Sequence, residues 1–168
     1  MATGSATQYQ NETLSCDSLV VTGTSTAASS TELNRVADVS TRLIAGGATL
    51  SVTEALHDGK IIALDTATGT IATLPAASGS GAVFRFIVTV TATTTLHIVK
   101  VANASDTMSG FIYNNDMDLT PAAFYKASGT DDTITMNRST TGGIIGDDIE
   151  CIDMKANVWF VRGNITCV

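Results

Sequence analysis

The residues of this chain that could do chemistry are two histidines, three cysteines and several closely spaced aspartates. His57 and His97 are isolated, with no Cys, Glu or second His at a spacing typical of a metal site. We therefore expect His57 to be a turn residue and His97 a strand residue. No serine lies in a Gly-x-Ser-x-Gly motif with His and Asp partners in a plausible order. The sequence predicts no catalytic residue, so the protein is expected not to be an enzyme.

Neighbouring carboxylates occur at Asp131 and Asp132 and again at Asp147 and Asp148. Either pair could collect a cation near a subunit axis. Adjacent side chains of a strand point to opposite faces, however, so solvated strand ends explain the pairs more simply. The Asn and Asp residues at 115–118 lack the central Gly and distal Glu of a calcium loop and indicate a surface turn. We predict no metal site and no cofactor, and the sequence leaves cation binding at the two aspartate pairs open.

The cysteines, Cys16, Cys151 and Cys167, are too far apart for a Cys-x-x-Cys site, and an odd number cannot form a closed disulfide framework. Burial as small hydrophobic residues is the expected state. The single tryptophan, Trp159, is expected to pack in the core against the central strand.

Charge and hydropathy exclude two classes of partner. The chain of 168 residues has a net charge of −7 with only nine Lys and Arg, which argues against binding nucleic acid. It contains no apolar run approaching the roughly 20 residues that span a bilayer, so no membrane is predicted. The N-terminus lacks the basic start and apolar core of a secretory signal, and we expect synthesis in the cytoplasm.

The elements are organised around the stretch 79–90, where Phe84, Phe86 and Val88 alternate with Val83, Arg85 and Ile87. Both faces are mostly apolar, which predicts a central strand between two packed layers. The Pro and Gly residues at 75–81 predict a turn before it.

Thr, Val and Ile runs punctuated by turn signals predict about ten short strands. Without long crossover helices, these strands indicate an all-β fold, an antiparallel β-sandwich or jelly-roll-like barrel. We see no clean internal repeat. The predicted strands cover residues 60–65, 70–74, 82–90, 94–101, 107–113, 122–126, 133–137, 148–153 and 158–162, with a further strand beginning at Leu50 and Val52.

The N-terminal part is expected to differ from the body. Residues 1–29 are polar, with Leu14 and the short apolar run Leu19, Val20 and Val21, and they predict either a disordered tail or an extended arm that binds a partner. Ser29 and Glu32 have the spacing of a capping box and predict one short helix that ends near Ser40. We thus expect an arm over 1–29 and a β-sandwich domain over 30–168.

Arg85 is the most informative charge, because it interrupts an apolar strand. It is expected either to pair with a carboxylate such as Asp65 or Asp148, or to point into a subunit interface, since an unpaired buried guanidinium is costly.

Five stretches together resemble a known class of protein. They are Glu-Leu-Asn-Arg-Val-Ala-Asp-Val-Ser-Thr-Arg at 32–42, Leu-Ser-Val-Thr at 50–53, His-Asp-Gly-Lys at 57–60, Leu-Pro-Ala-Ala-Ser-Gly-Ser-Gly-Ala-Val-Phe-Arg-Phe at 74–86 and Val-Trp-Phe-Val at 158–161. This order resembles the head decoration, or capsid cement, proteins of tailed bacteriophages over roughly residues 30–162.

The resemblance implies a non-enzymatic virion protein, a β-rich homotrimer that binds the major capsid protein on the outer surface of the expanded head and stabilises it. It also implies that the N-terminal arm makes the capsid contact. The alternative is a tail fibre or tailspike module that binds a host surface glycan, because similar Glu-Leu-Asn helices and Thr- and Gly-rich β modules occur there. Exposed aromatic residues would favour the glycan alternative, but aromatic residues make up only 5% of the chain.

Overall fold

The computed structural model describes residues 20–21, 24–25, 42–116 and 123–167. Contacts divide the chain into two units, Met1–Ser40 and Thr41–Val168. The described residues of the first unit form an antiparallel pair, β1 (Val20–Val21) and β2 (Thr24–Ser25). Leu14, Leu19 and the helix predicted after Ser29 lie outside the described residues.

The described part of the second unit is built from strands and one short helix. In chain order these are β3 (Leu43–Ala45), β4 (Thr49–Ser51), α1 (Glu54–His57), β5 (Ile61–Leu64), β6 (Ile71–Thr73), β7 (Val83–Val88), β8 (His97–Lys100), β9 (Thr107–Asp116), β10 (Ala123–Ser128), β11 (Thr133–Met136), β12 (Asp148–Lys155) and β13 (Val158–Cys167). The all-β prediction is confirmed. The sequence analysis did not predict β3 and α1.

The strands of the second unit form two mixed sheets around one hydrophobic core. The seven-stranded sheet has the order β10-β9-β13-β12-β7-β5-β3, and the four-stranded sheet has the order β11-β8-β6-β4. Phe86 and Ile149 of the larger sheet belong to the same buried cluster as Ala72 and Val99 of the smaller one. The two sheets therefore enclose a shared apolar interior.

Strands β3 to β8 alternate between the sheets, so that β3 with β4, β5 with β6 and β7 with β8 each form one coil. Successive coils stack with parallel pairing in both sheets. In the larger sheet Ile62 lies between Ile44 and Phe86. This stacking is that of a short β-solenoid.

The predicted antiparallel sandwich is wrong in strand direction, since five of the ten strand pairings described are parallel. The prediction assumed that parallel strands need a helical crossover. Here the strand in the opposite sheet is the crossover. It returns the chain to the first sheet in its original direction, so the jelly-roll connectivity is not observed.

The last coil is covered by antiparallel strands. β12 pairs with β7 in the larger sheet, and β11 pairs with β8 in the smaller one. β13 then pairs with β12 and runs parallel to β9 over the ten residue pairs from Val158–Thr107 to Cys167–Asp116. This long parallel pairing brings the outer faces of β12, β13, β9 and β10 into one surface.

The central strand β7 packs on one side only among the described residues. Phe84, Phe86 and Val88 are buried, and Phe84 contacts the buried Trp159 with ring centroids 5.7 Å apart, as predicted for that tryptophan. On the other face Arg85 is exposed, while Val83 and Ile87 are half-buried. The second packed layer predicted over this face is therefore not observed.

A buried carboxylate holds the turn before β7. Asp153 of β12 is 1% exposed, and it accepts hydrogen bonds from the backbone N–H groups of Ser78, Gly79 and Ser80 at 2.7–3.1 Å. The hydroxyl groups of Ser78 and Ser80 also donate to it, at 2.8 and 2.9 Å. The Ser80 hydroxyl also lies 2.7 Å from Oε1 of Glu54 of α1, so its single proton is shared between the two carboxylates. These bonds fix the turn to both β12 and α1.

Two further buried aspartates serve other loops in the same way. Asp106 accepts from the N–H of Ala77 at 3.0 Å. Asp147 accepts from the N–H groups of Gly143, Ile144 and Thr166 at 2.7–3.1 Å. Each carboxylate satisfies backbone donors that would otherwise be buried without partners.

We expect Asp153→Asn to lower the free energy of unfolding by about 2 kcal/mol near neutral pH, because hydrogen bonds to a charged acceptor are lost. Burial raises the pKa of Asp153, but the hydrogen bonds from Gly79, Ser78 and Ser80 outweigh it and lower the pKa from 3.8 to about 2. A lowered pKa contributes stability above the unfolded-state value, and that stability is lost as the pH falls through the folded-state value. The difference between wild type and variant should therefore shrink between pH 3.8 and about 2.

Urea unfolding followed by circular dichroism across this pH range measures the difference. The matched control is Asp132→Asn, which changes an exposed carboxylate and is expected to alter the unfolding free energy by less than about 0.5 kcal/mol. A difference for Asp153→Asn that does not vary with pH would contradict this assignment.

Candidate functional site

The candidate site lies on the outer face of the seven-stranded sheet. Side chains alternate along each strand, so cross-strand neighbours on this face form rows. One row is Arg85, Glu150, Arg162, Phe111 and Lys126. The next row is Ile87, Asp148, Asn164, Tyr113 and Phe124. Charged and amide groups thus occupy β7, β12 and β13, and aromatic rings occupy β9 and β10, where Lys126 ends the first row beside Phe111.

The charged half of this face consists of two ion pairs. Arg85 Nη2 lies 3.6 Å from Asp148 Oδ2, with the two side chains 50% and 25% exposed. Arg162 approaches Glu150 Oε1 through Nη2 at 2.6 Å and donates to the same oxygen through Nε at 2.7 Å. Asn164 donates to Asp148 Oδ1 at 3.4 Å. The two guanidinium and two carboxylate charges balance.

The aromatic half is a small cluster of rings that contact one another. Phe124 packs edge-on against Phe111 with ring centroids 6.2 Å apart, and its centroid lies 5.3 Å from that of Tyr113. Phe111 is 50% exposed and Phe124 67% exposed. Aromatic side chains this exposed on regular strands are typical of a contact surface.

The two halves meet in a groove with a cavity volume of about 340 Å³, which we call the outer groove. Its lining residues are Arg85, Phe111, Tyr113, Asp148, Glu150, Arg162, Gly163 and Asn164. Gly163 is required here, because a Cβ at this position would overlap the carbonyl oxygen of Asp148. The close approach of β12 and β13 thus depends on that glycine.

A second cavity, of about 270 Å³, opens between β9 and β10 of the larger sheet and β11 of the smaller one. Met108, Ile112, Val161 and Ile165 contribute its apolar lining. Tyr125 lies at this cavity, and its hydroxyl donates to the carbonyl of Thr140 at 2.9 Å. The lining suits an aliphatic group rather than a polar ligand.

Arg85 is the predicted site residue that the structure places in the groove. Its partner is Asp148, one of the two carboxylates named from the sequence, and the pair lies at the surface rather than in the interior. Asp65 instead accepts from the N–H of Gly47 at 2.9 Å. Val20 and Val21 form β1, and nothing further is described of their side chains.

Both histidines have structural hydrogen bonds. His97 is buried in β8, where its Nδ1 accepts from the N–H of Thr70 at 3.0 Å and its Nε2 donates to the carbonyl of Val90 at 2.8 Å. His57 was predicted to be a turn residue, but it is the last residue of α1, and its Nδ1 accepts from the N–H of Thr53 at 3.0 Å. Both ring nitrogens of His97 and the Nδ1 of His57 therefore bond the backbone.

The aspartate pairs point in different directions. Asp147 is buried, while Asp148 is half-buried on the outer face. Hydrogen bonds from the backbone and side chain of Ser128 lower the pKa of Asp131. Within the ranges that the structure describes, no group of three or more His, Cys, Asp or Glu side chains is placed to hold a metal ion.

Cys151 and Cys167 are free thiols in the interior, as predicted. Burial raises the pKa of the Cys151 thiol, with the charge of Glu150 adding to the effect. This cysteine is therefore held in its neutral form. Cys16 lies outside the described residues.

Sequence reasoning missed most of the outer groove. Two pairs of groove residues are two positions apart in the sequence, a spacing that places side chains on one face of a strand. These pairs are Phe111 with Tyr113 and Asp148 with Glu150. That local signal was present. The parallel pairing of β13 with β9, which joins the charged and aromatic halves, has no local signature in the sequence.

Comparison with protein-family models, with curated proteins and with solved structures found no match to this chain. Within the described part of the chain, none of the helices has the length and apolar character needed to cross a membrane.

We expect Arg85→Met to change the free energy of unfolding by less than about 1 kcal/mol, because exposed ion pairs contribute little. Methionine keeps much of the aliphatic stem that packs on the strand. Thermal and urea unfolding of the two proteins measure the change. A loss of several kcal/mol would mean that the guanidinium is buried in the protein as it exists in solution, as at a subunit interface.

Proposed function

We propose that this chain is a non-enzymatic structural protein of a tailed bacteriophage particle, a capsid decoration protein that binds the major capsid protein on the outer surface of the expanded head. The observation that supports this proposal is a set of large apolar side chains exposed on β10, on α1 and on the loop before β12. Phe124, Ile145 and Leu56 are 67%, 65% and 62% exposed. Such side chains mark surfaces that contact other proteins.

The body suits a role in which a protein stiffens its partner. The three stacked coils share one core with the capping strands, and buried carboxylates hold the turns at 77–80 and 143–144 in place. A surface that is ordered before it binds loses little conformational entropy on docking. A rigid body of this kind can clamp neighbouring capsid subunits.

The trimer and the arm belong to the same proposal. Residues 1–29 form the arm that engages the shell, with Leu14, Leu19, Val20 and Val21 as its apolar contacts. Three arms on one trimer would bind together, which raises the overall affinity well above that of a single arm. The protein is made in the host cytoplasm and added to the virion.

A second candidate function is supported by the aromatic cluster. Phe111 and Phe124 bring exposed rings, and Tyr113 a half-buried one, next to hydrogen-bonding groups on the outer face. This is the feature expected of a tail fibre or tailspike module that binds a host surface glycan. Electron microscopy of the intact particle distinguishes the two candidates, because one location is on the head and the other on the tail.

We expect the purified protein to bind expanded heads that lack it, and a variant without residues 1–29 to stay folded but not to bind. Co-sedimentation with the heads measures binding, and thermal unfolding measures folding. A second variant keeps the arm and replaces its apolar residues, Leu14, Leu19, Val20 and Val21, by Ser. It should also fail to bind if these apolar residues make the contact. Undiminished binding of the deletion variant would reject the arm as the capsid contact.

Light scattering of the pure protein should give three times the chain mass of 17.4 kDa. Because the trimer is a mass-action equilibrium, the measurement is made over a range of concentrations and repeated on protein released from heads. A monomer in both samples would contradict the homotrimer.

A further inference from the structure

We propose that the outer groove binds a neutral saccharide. Three observations point to this class of ligand: the balanced charges of the groove, its mixture of hydrogen-bond donors and acceptors, and the aromatic wall beside them. The groove would be the binding site that the second candidate function, glycan binding, requires. Saccharide binding by the groove does not depend on whether the protein lies on the head or the tail.

The balance of charge favours a neutral ligand. Arg85 and Arg162 are each paired with a carboxylate, so neither guanidinium is an uncompensated cation waiting for a phosphate or a uronate. Asp148 and Glu150 are likewise compensated and offer no net negative field to a cation. A charged ligand would have to compete with an existing pair for its partner, whereas a neutral one would not.

The polar groups of the groove match what a sugar presents. Each sugar hydroxyl both donates and accepts, so its site needs donors and acceptors close together. Arg162 directs both its Nε and its Nη2 to a single oxygen of Glu150, Oε1. The second oxygen of that carboxylate and the remaining guanidinium N–H groups can face a ligand. Asn164 adds its amide oxygen as an acceptor and the one N–H that it does not donate to Asp148.

The aromatic wall supplies the other half of saccharide recognition. Phe111 and Tyr113 line the groove, and Phe124 packs against both rings from the neighbouring strand. The face of an aromatic ring carries negative charge density and attracts the weakly positive C–H groups of a pyranose. Because the rings hold one another in place, little side-chain freedom remains to be lost on binding.

The dimensions indicate a short ligand. A volume of about 340 Å³ lies at the lower end of the range for ligand pockets. The charged groups are 20–58% exposed, so the groove is open rather than enclosed. It therefore suits one or two terminal sugar units of a longer chain.

The test is binding of the purified full chain to an immobilised array that carries neutral and acidic oligosaccharides. We expect wild-type protein to bind one or more neutral members. Phe111→Ala should reduce that binding at least tenfold by removing the wall, and Arg162→Ala should do the same by removing donors. Phe111→Tyr should retain binding, because the ring is kept. Tyr113→Ala gives an independent measure of the wall if Phe111→Ala does not fold.

The matched control is Met154→Ala, which changes a residue at the bulge near the end of β12, outside the lining of the groove, with a similar exposure, 48% against 50% for Phe111. Binding by this variant should equal that of wild type. The proposal is overturned by no saccharide binding, by binding to acidic oligosaccharides alone, or by an equal loss in Met154→Ala and Phe111→Ala. Those results would leave co-sedimentation with expanded heads unaffected, so the saccharide site and the capsid role fail separately.

Discussion

The structure depends on satisfying the backbone of the turns that carry the chain from one sheet to the other. Each coil must leave its sheet, cross the edge of the core and return, and the turns at 77–80 and 143–144 contain N–H groups that no strand pairing bonds, those of Ala77 and Gly143 being buried. Asp106, Asp147 and Asp153 accept those groups. A carboxylate accepts through both of its oxygens and carries a charge, whereas an amide accepts through one oxygen only and its NH₂ group can only donate. These three carboxylates therefore have a structural role, and they lie in the interior, where their charge does not repel partners.

The strands could be predicted from the sequence because their side chains alternate and Gly, Pro and Asn mark the turns. The run around Phe84 and Phe86 was correctly predicted as a strand for this reason. The strand directions could not be predicted, because they depend on which strands meet after the chain has crossed the core. The coils also differ in length: 18 residues separate Leu43 from its partner Ile61, but 24 separate Ile61 from Arg85. Unequal spacing hides the repeat from a search for a fixed period.

The site was predictable only in part, for a similar reason. Arg85 stood out because a guanidinium in an apolar strand must find a partner, and Asp148 was among the carboxylates named for it. The face of β7 was expected to be covered, since Val83 and Ile87 made it look apolar. In the structure a single arginine and its neighbours on β12 make that face a polar surface. The aromatic half comes from β9 and β10, and nothing close to Arg85 in the sequence indicates that Phe111 and Arg162 are neighbours.

The rigid body and the open groove are consequences of the same arrangement. β12 pairs with the strand of the last coil in the larger sheet, and the side chains of Ile149 and Cys151 on its inner face are buried in the core. The period of two then leaves Asp148 and Glu150 on the outside, where each meets an arginine on an adjacent strand. Were these four charges unpaired, the face would carry strong local fields and would select charged partners. Because they are paired, the groove can hold polar groups at fixed positions without a net charge, and the adjoining rings then favour a ligand that is neutral, polar at its edges and apolar on one face.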